Sequence, residues 1–419
     1  MSKQSKRVRV AIGERLRPVG EIVFETDGRR QTGMFRYAVE WLENPQRFPI
    51  APSMPLGESQ FYASASRVNP RDALLGPVSD GSPDSWGRGL IRRARGGTLT
   101  ELDYLLAVDD LTRQGSLRYL DEAGTPLARS YPPVPRLSEL AKLRSLASAA
   151  DRAAAIAAAD MDQLLGSAGS LGGTRPKASV RDESGHLHIA KFTTDVDSMP
   201  IERAEVATLK LARAAGIRAA SARLELSGTN RPVALIKRFD RSGAERFSYL
   251  SAQSFLGTEA ATGAFYTDIS DSLRAHALDP RGQMAELYRR ILFTILVSNT
   301  DDHLKNHGLL HAGAGRWILS PAFDINPQPF RRRQLETGIS ELSGNTASIE
   351  AALEASPLFG IPRDVAAEEL SRITSIIDEQ WQPSCLAEGM TVEELALYRP
   401  AFDHEESLVA RRISAGVHS

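Results

Sequence analysis

One cysteine, Cys385, stands among 419 residues. That scarcity excludes a disulfide scaffold and a Cys-rich structural zinc site, and it suits a reducing compartment. Net charge is nearly absent as well: 51 Lys+Arg oppose 52 Asp+Glu, a formal −1. The whole surface is therefore not a nucleic-acid footprint, although a local basic patch stays compatible with neutrality. The strongest apolar run, Ile291 to Val297, is interrupted by Thr294 and is far too short to span a bilayer. The opening MSKQSKRVRVAIGERLRPVGEIVF is basic and lacks the apolar core of a signal peptide. The expectation is a cytoplasmic protein with no membrane partner. No repeat of 20–50 residues is visible in the chain.

What is present is ordinary globular material, 42% hydrophobic and 25% charged. The length suggests two or three domains. Val8–Ile12 and Val19–Phe24 alternate like antiparallel strands, and a Pro-rich loop (Pro45, Pro49, Pro52, Pro55) follows. Asp84-Ser85-Trp86-Gly87-Arg88 reads as a helix start. The connector SYPPVPRLSEL leads into an alanine-rich segment, 140–160, that is helical by propensity. Beyond Gly166 the chain becomes strand-rich, with a Gly-rich turn and strands at 187–192, 223–226 and 233–239. A helix spans 201–215 and closes at Gly216. The remainder is helical, with Met284, Leu287, Tyr288, Ile291, Leu292, Ile295 and Leu296 marking a buried face and similar periodicity over 362–380 and 391–413. The fold class expected is α+β.

The stretch NTDDHLKNHGLL, Asn299 to Leu310, directly follows the buried helix, so its polar groups sit on a loop held by a rigid element. Gly308–His311 and Arg316–Leu319 flank AGAG as a hairpin, which returns the chain to Ser320-Pro321-Ala322-Phe323-Asp324. Asp301, Asn306 and Asp324 can then converge. A carboxylate and a carboxamide are hard oxygen ligands suited to Mg²⁺, and the second carboxylate is left to accept or orient a hydroxyl proton. That is the layout of phosphoryl transfer in protein kinases. Upstream, the Gly-rich turn can bring N–H groups to phosphates. Lys191 shares a strand face with Leu187 and Ile189, where it can meet nucleotide phosphates. Glu205, 14 residues on, can hold its ammonium group, and Val233–Phe239 leads to the adenine.

These residues resemble the HipA-type serine/threonine kinases of bacterial toxin–antitoxin modules. The likeness is carried in order by FRYAVEWLENPQRFPI, DSWGRGLI, SLGGTRPK, HIAKF, KRFDR, NTDDHLKN and SPAFD. The resemblance implies a bilobal kinase-like core behind a β-rich N-terminal module, and a mainly helical C-terminal lobe. The N-terminal module would cover 1–128, a linker and helix 129–162, the N-lobe with its phosphate loop 163–243, and the C-lobe 244–419. It implies ATP and Mg²⁺, with Asp301 as catalytic base and Asn306 and Asp324 as metal ligands. Gly172, Gly173, Thr174, Arg175, Pro176 and Lys177 would form the phosphate loop, and Lys191 would bind the phosphates. Lys237, Arg238 and Phe239 would lie at the adenine, and His303 and Lys305 in the nucleotide-contacting part of the catalytic loop. Ser170 matches the family's autophosphorylated serine, whose modification goes with an expelled loop and an inactive kinase; the Arg175-Pro176 pair departs from the family pattern after it. The implied biology is a toxin that phosphorylates a protein, an aminoacyl-tRNA synthetase in known members, and so blocks translation. A HipB-like DNA-binding antitoxin on a separate chain would neutralise it, the complex repressing its own operon at the operator DNA.

Other readings compete. His303, His307 and His311 have the four-residue spacing of zinc ligands, but Leu304 stands where a zincin helix carries its Glu and Gly308 interrupts the helix. Arg331-Arg332-Arg333 is a solvated face or, in the kinase reading, part of the segment just beyond Asp324 that would meet a protein substrate or take part in regulation. Arg92-Arg93-Ala94-Arg95 is a solvated face or a DNA-backbone contact. A catalytically silent scaffold serving as the antitoxin's corepressor, or a small-molecule kinase on the same core, would carry the same fold.

Overall fold

The structure, a computed structural model, describes residues 4–65, 73–127, 132–169, 173–194, 196–329 and 333–417. It divides into two compact units. The first comprises Met1–Asp195, Lys237–Glu259 and Leu310–Gly315, and the second Val196–Ile236, Ala260–Leu309 and Arg316–Ser419.

The first unit opens with strands β1 (Gln4–Ile12), β2 (Arg17–Thr26), β3 (Gln31–Tyr37), β4 (Gln60–Ser64) and β5 (Leu117–Leu120), an antiparallel sheet in the order β4-β3-β2-β1-β5. Val8, Val10, Ile22, Phe24 and Phe35 bury its inner face, the alternation that period-2 side chains demand. Gly20 is required by close approach: a Cβ there would lie 2.3 Å from the Arg36 carbonyl oxygen. Helices α1 (Val39–Leu42), α2 (Gly76–Ser79), α3 (Ser85–Arg95), α4 (Glu101–Ala107), α5 (Leu140–Asp151) and α6 (Ala158–Ser167) follow. Asp84 caps α3 by accepting the Gly87 N–H at 2.7 Å, the start expected from DSWGR.

The alanine-rich segment is not one helix. It breaks between α5 and α6, with Ala153 in the left-handed region (φ 54°). Propensity alone favours continuation, but Arg93 of α3 donates to the carbonyls of Ala150 and Ala154 and takes up the acceptors that a longer helix would use. Strands β6 (Lys177–Arg181) and β7 (Leu187–Phe192) then form an antiparallel hairpin with Lys177 opposite Lys191 and Ser179 opposite Ile189.

The second unit contributes α7 (Ile201–Ala214) and the antiparallel pair β8 (Ala222–Glu225) and β9 (Val233–Lys237). The chain returns to the first unit through β10 (Arg241–Ser242), β11 (Glu245–Arg246), β12 (Tyr249–Ser251) and α8 (Ala252–Leu256). It then builds α9 (Tyr266–His276), α10 (Pro280–Leu296), β13 (Gly308–His311), β14 (Trp317–Leu319), α11 (Ile349–Ala355), α12 (Arg363–Ala387), α13 (Val392–Phe402) and α14 (Glu405–Val417). Helix α10 starts at an Asp279 cap with Pro280 in its first turn. From Met284 to Leu296 it buries a broad apolar face, as the three- and four-residue spacing predicts. Helix α12 packs against α7, α10 and α14. The periodic stretch 391–413 is two helices, because His404 and Ser407 start α14 with reciprocal bonds: His404 N–H to Ser407 Oγ and Ser407 N–H to His404 Nδ1.

Candidate active site

In the second unit, α10 ends at a turn where Ser298 adopts φ 54°, and the chain enters the Asn299–His307 loop. This loop is fixed from three sides. Asn299 Oδ1 accepts the Asn326 N–H at 3.0 Å. The Thr300 carbonyl accepts the Glu336 N–H at 3.2 Å, and the Asp302 carbonyl accepts Thr337 Oγ1 at 2.7 Å. Asn306 then closes the loop on itself by donating Nδ2 to the Asp301 carbonyl at 2.9 Å. That bond turns the Asn306 carbonyl oxygen, a hard donor, the other way.

Beneath the loop lies Asp302, 5% exposed. It accepts Tyr266 Oη at 2.5 Å and faces His307 Nε2 at 3.0 Å, and the Tyr266 and His307 rings meet edge to face. Burial pushes the Asp302 carboxyl up, but the His307 charge and the hydrogen bonds of His307 and Tyr266 hold it below the ordinary range. The Tyr266 hydroxyl is raised well above its usual value by burial, reinforced by the Asp302 charge. Asp302 is thus an anchor for a loop whose preceding residue, Asp301, is half-buried.

Asp324 is reached through a fixed segment. The Ser320 N–H donates to the Gly308 carbonyl at 2.7 Å, the Ala322 N–H to Arg218 at 2.7 Å, and the Ala322 carbonyl accepts the Ala220 N–H at 2.8 Å. Asp324 itself adopts φ 57°, a left-handed conformation that Asp tolerates better than most residues, and its Oδ1 accepts Asn326 Nδ2 at 2.9 Å. Such backbone strain persists where the surroundings enforce it, often at functional sites. Asp301, Asn306 and Asp324 therefore all belong to one unit, on segments tied together through Asn299 and Asn326. Among the described residues no group of three His, Cys, Asp or Glu forms a ready metal cluster. A set of one carboxylate and one carboxamide, sharing the ion with phosphate and water, suits Mg²⁺.

In the first unit, Gly173 has φ 95°, and a Cβ there would lie 2.8 Å from Lys177 Nζ. Lys191 sits half-buried on β7, in the same two-residue register as Leu187 and Ile189. Lys237 is exposed, whereas Arg238 is buried. The Arg238 guanidinium donates to both Asp240 oxygens (2.9 and 2.7 Å) and to the carbonyls of Thr112 and Arg113. Asp240 also accepts from Arg241 and from the Gly115 N–H at 2.8 Å. Burial raises its carboxyl, but Arg238 and Arg241 overcome this and hold it far below the ordinary range. The Arg238 side chain is thus committed to structure; its N–H donates to Leu187 at 3.0 Å. The Phe239 ring lies 6.3 Å from Tyr249. Glu205 is buried on α7. Ser170, Gly172, Arg331 and Arg332 lie outside the described residues, while Arg333 reaches Ser298 Oγ and the Pro400 carbonyl.

The zinc arrangement is not assembled among the described residues. His307 serves Asp302, and His311 stacks on Phe48 at 3.6 Å with its Nε2 accepting the Gly315 N–H. In the Arg92–Arg95 run, Arg93 caps α5 instead of facing solvent alone. Sequence reasoning missed Asp302, Tyr266 and Asp240. The doubled Asp in NTDDH and the arginines flanking Asp240 in KRFDR were the local signals; Tyr266 and the Gly115 N–H come from distant segments.

Two family models match the chain: the HipA N-terminal domain over residues 9–110 and the HipA-like C-terminal domain over 169–381. No curated protein matches. Among solved structures, the chain resembles HipA of Shewanella oneidensis MR-1, from a toxin–antitoxin complex of HipA, HipB and operator DNA. The TM-score is 0.69 at 15% identity, over 98% of this chain and 96% of that one. A Helicobacter pylori proinflammatory kinase, CtkA, matches at TM-score 0.41 and 15% identity, over 58% of this chain and 95% of that one. Among the described residues no helix is long and apolar enough to cross a membrane.

Proposed function

This chain belongs to the HipA family, and from that premise we propose that it is an ATP- and Mg²⁺-dependent serine/threonine protein kinase, the toxin of a type II toxin–antitoxin module. The observation that carries the reading is the second unit's loop. Asp301 and Asn306 are closed on each other by the Asn306 Nδ2 bond, and Asp324 is held in a left-handed backbone conformation. Bound Mg²⁺–ATP would supply the γ-phosphoryl group and the metal charge that offsets it. Asp301 orients the substrate hydroxyl and accepts its proton. The Asn306 carbonyl oxygen and the Asp324 carboxylate are the hard donors that would hold the metal. Lys191 and the Gly173–Pro176 backbone bind phosphates, and Lys237, Phe239 and the Arg238 main chain flank the adenine. His303 and Lys305 contact the nucleotide. Most of the rate comes from positioning and electrostatics.

The substrate is a protein hydroxyl, with an aminoacyl-tRNA synthetase as the first class to assay, and Ser170 is the site of self-inactivation. The Shewanella relative was solved with HipB and operator DNA; by the same proposal a HipB-like helix-turn-helix antitoxin on a separate chain neutralises this one and carries it to DNA. Intact-mass measurement after incubation with ATP and Mg²⁺ tests the core of the reading. One added phosphate that maps to Ser170 and is missing from Asp301→Ala is the expected result. No mass gain together with no ATP binding by calorimetry would overturn it in favour of a catalytically silent corepressor.

A further inference from the structure

Lys177 closes the Gly-rich stretch and begins β6, yet its side chain is only 3% exposed and pairs with Asp84, 2% exposed, at 2.9 Å. Two opposite charges withdrawn together from water survive only where the surrounding geometry holds them tightly. Asp84 is built for that. Its Oδ1 caps α3 through the Gly87 N–H, and its Oδ2 takes the lysine. The lysine folds back across Gly173, whose missing side chain leaves room for the ammonium group.

The platform beneath is rigid. Arg88 of α3 makes a two-pronged bond to Glu101 of α4 (2.8 and 2.6 Å) and lies over the Tyr104 ring. Leu90 and Ile91 of α3 share one core with Met161, Leu164, Leu165 and Ala168, on or just after α6. The helix that launches the Gly-rich loop and the carboxylate that receives its far end are therefore parts of one packed body.

We infer that Asp84, contributed by the N-terminal module, is a positioning residue for the phosphate loop. With Lys177 it forms a clasp that draws Gly173–Lys177 onto α3 and sets where the loop's N–H groups lie. In this closed form the Lys177 ammonium holds the loop and does not address phosphate. The inference deepens the kinase reading and rests on it for the statement that this loop receives phosphates; the clasp itself stands on the ion pair.

Asp84→Asn is the discriminating variant, because asparagine still caps a helix while removing the charge. It is paired with Lys177→Met and with the double variant, which removes both charges and leaves neither one buried alone. Amide exchange of peptides covering 173–181 should accelerate about tenfold or more in each single variant, with less than additive effect in the double. Peptides from α12 serve as the reference and should not change. The KM for ATP should rise about tenfold with kcat changed far less. Unchanged exchange at 173–181, or equal loss of protection in α12, would overturn the clasp. If wild-type protein neither binds ATP nor transfers phosphate, the kinase reading fails, and the exchange data alone still decide whether Asp84 fixes the loop.

Discussion

At the scale of single residues, Asp302 carries the most consequence for chemistry it does not touch. Its carboxylate receives Tyr266 and His307 and its carbonyl receives Thr337, so neutralising it leaves the loop one residue away without its anchor. Asp302→Asn should lower kcat on the order of a hundredfold, the cost of ångström-scale misplacement, and raise the KM for ATP as well, since His303, Lys305 and Asn306 share the loop; steady-state phosphotransfer measures both. His311 makes a second prediction. Burial pushes its imidazole down to about 4, and its Nε2 must stay unprotonated to accept the Gly315 N–H. His404 is likewise pushed down to about 4 by burial, with Arg333 adding to the effect. The unfolded chain takes these protons near pH 6.5 and the folded chain only near 4. Stability is therefore full above 6.5 and falls as pH drops through that window. Thermal melts from pH 7 to 4 should show the decline, and His311→Gln should make it shallower without abolishing it. The placement of Asp301, Asn306 and Asp324 in a single unit was legible because a loop, a hairpin and a short return lie within one stretch of sequence. Asp302 was not, because its hydroxyl partner comes from 36 residues upstream, a contact that only packing creates.

Among elements, the helices with a strong apolar stripe were readable and the interruptions were not. Helix α10 follows its spacing closely, and β6–β7 follow alternation and a turn. The break between α5 and α6 has no glycine or proline to announce it; its cause is Arg93, more than fifty residues away, binding the Ala150 and Ala154 carbonyls. Arg93→Met should lower the melting temperature by about 2–4 °C, the shift expected for loss of about 1 kcal/mol in a unit of this size. Hydrogen exchange should rise locally at 149–154. The division of 391–413 into α13 and α14 is similarly local chemistry, since His404 and Ser407 form a cap that hydrophobic periodicity does not register.

For the molecule as a whole, the first unit is assembled from three separated segments, and Asp240 is the knot between two of them. It binds Arg238, Arg241 and the Gly115 N–H with almost no exposure to water. Asp240→Ala leaves two buried guanidinium groups uncompensated and should cost about 3–5 kcal/mol, measured by urea unfolding followed at the β1–β5 sheet. A fragment beginning at residue 169 would lack Asp84, Thr112, Arg113 and Gly115, and should therefore expose the β6–β7 hairpin and be recovered insoluble or rapidly proteolysed. The two family segments, 9–110 and 169–381, are thus separate as stretches of sequence but joined as matter. Neither can be exchanged for a cousin's copy unless Asp84, which accepts from Lys177, and Gly115, which donates to Asp240, are kept with it. The lineage should show the two halves inherited together, with recombination points falling outside the pair and never between them.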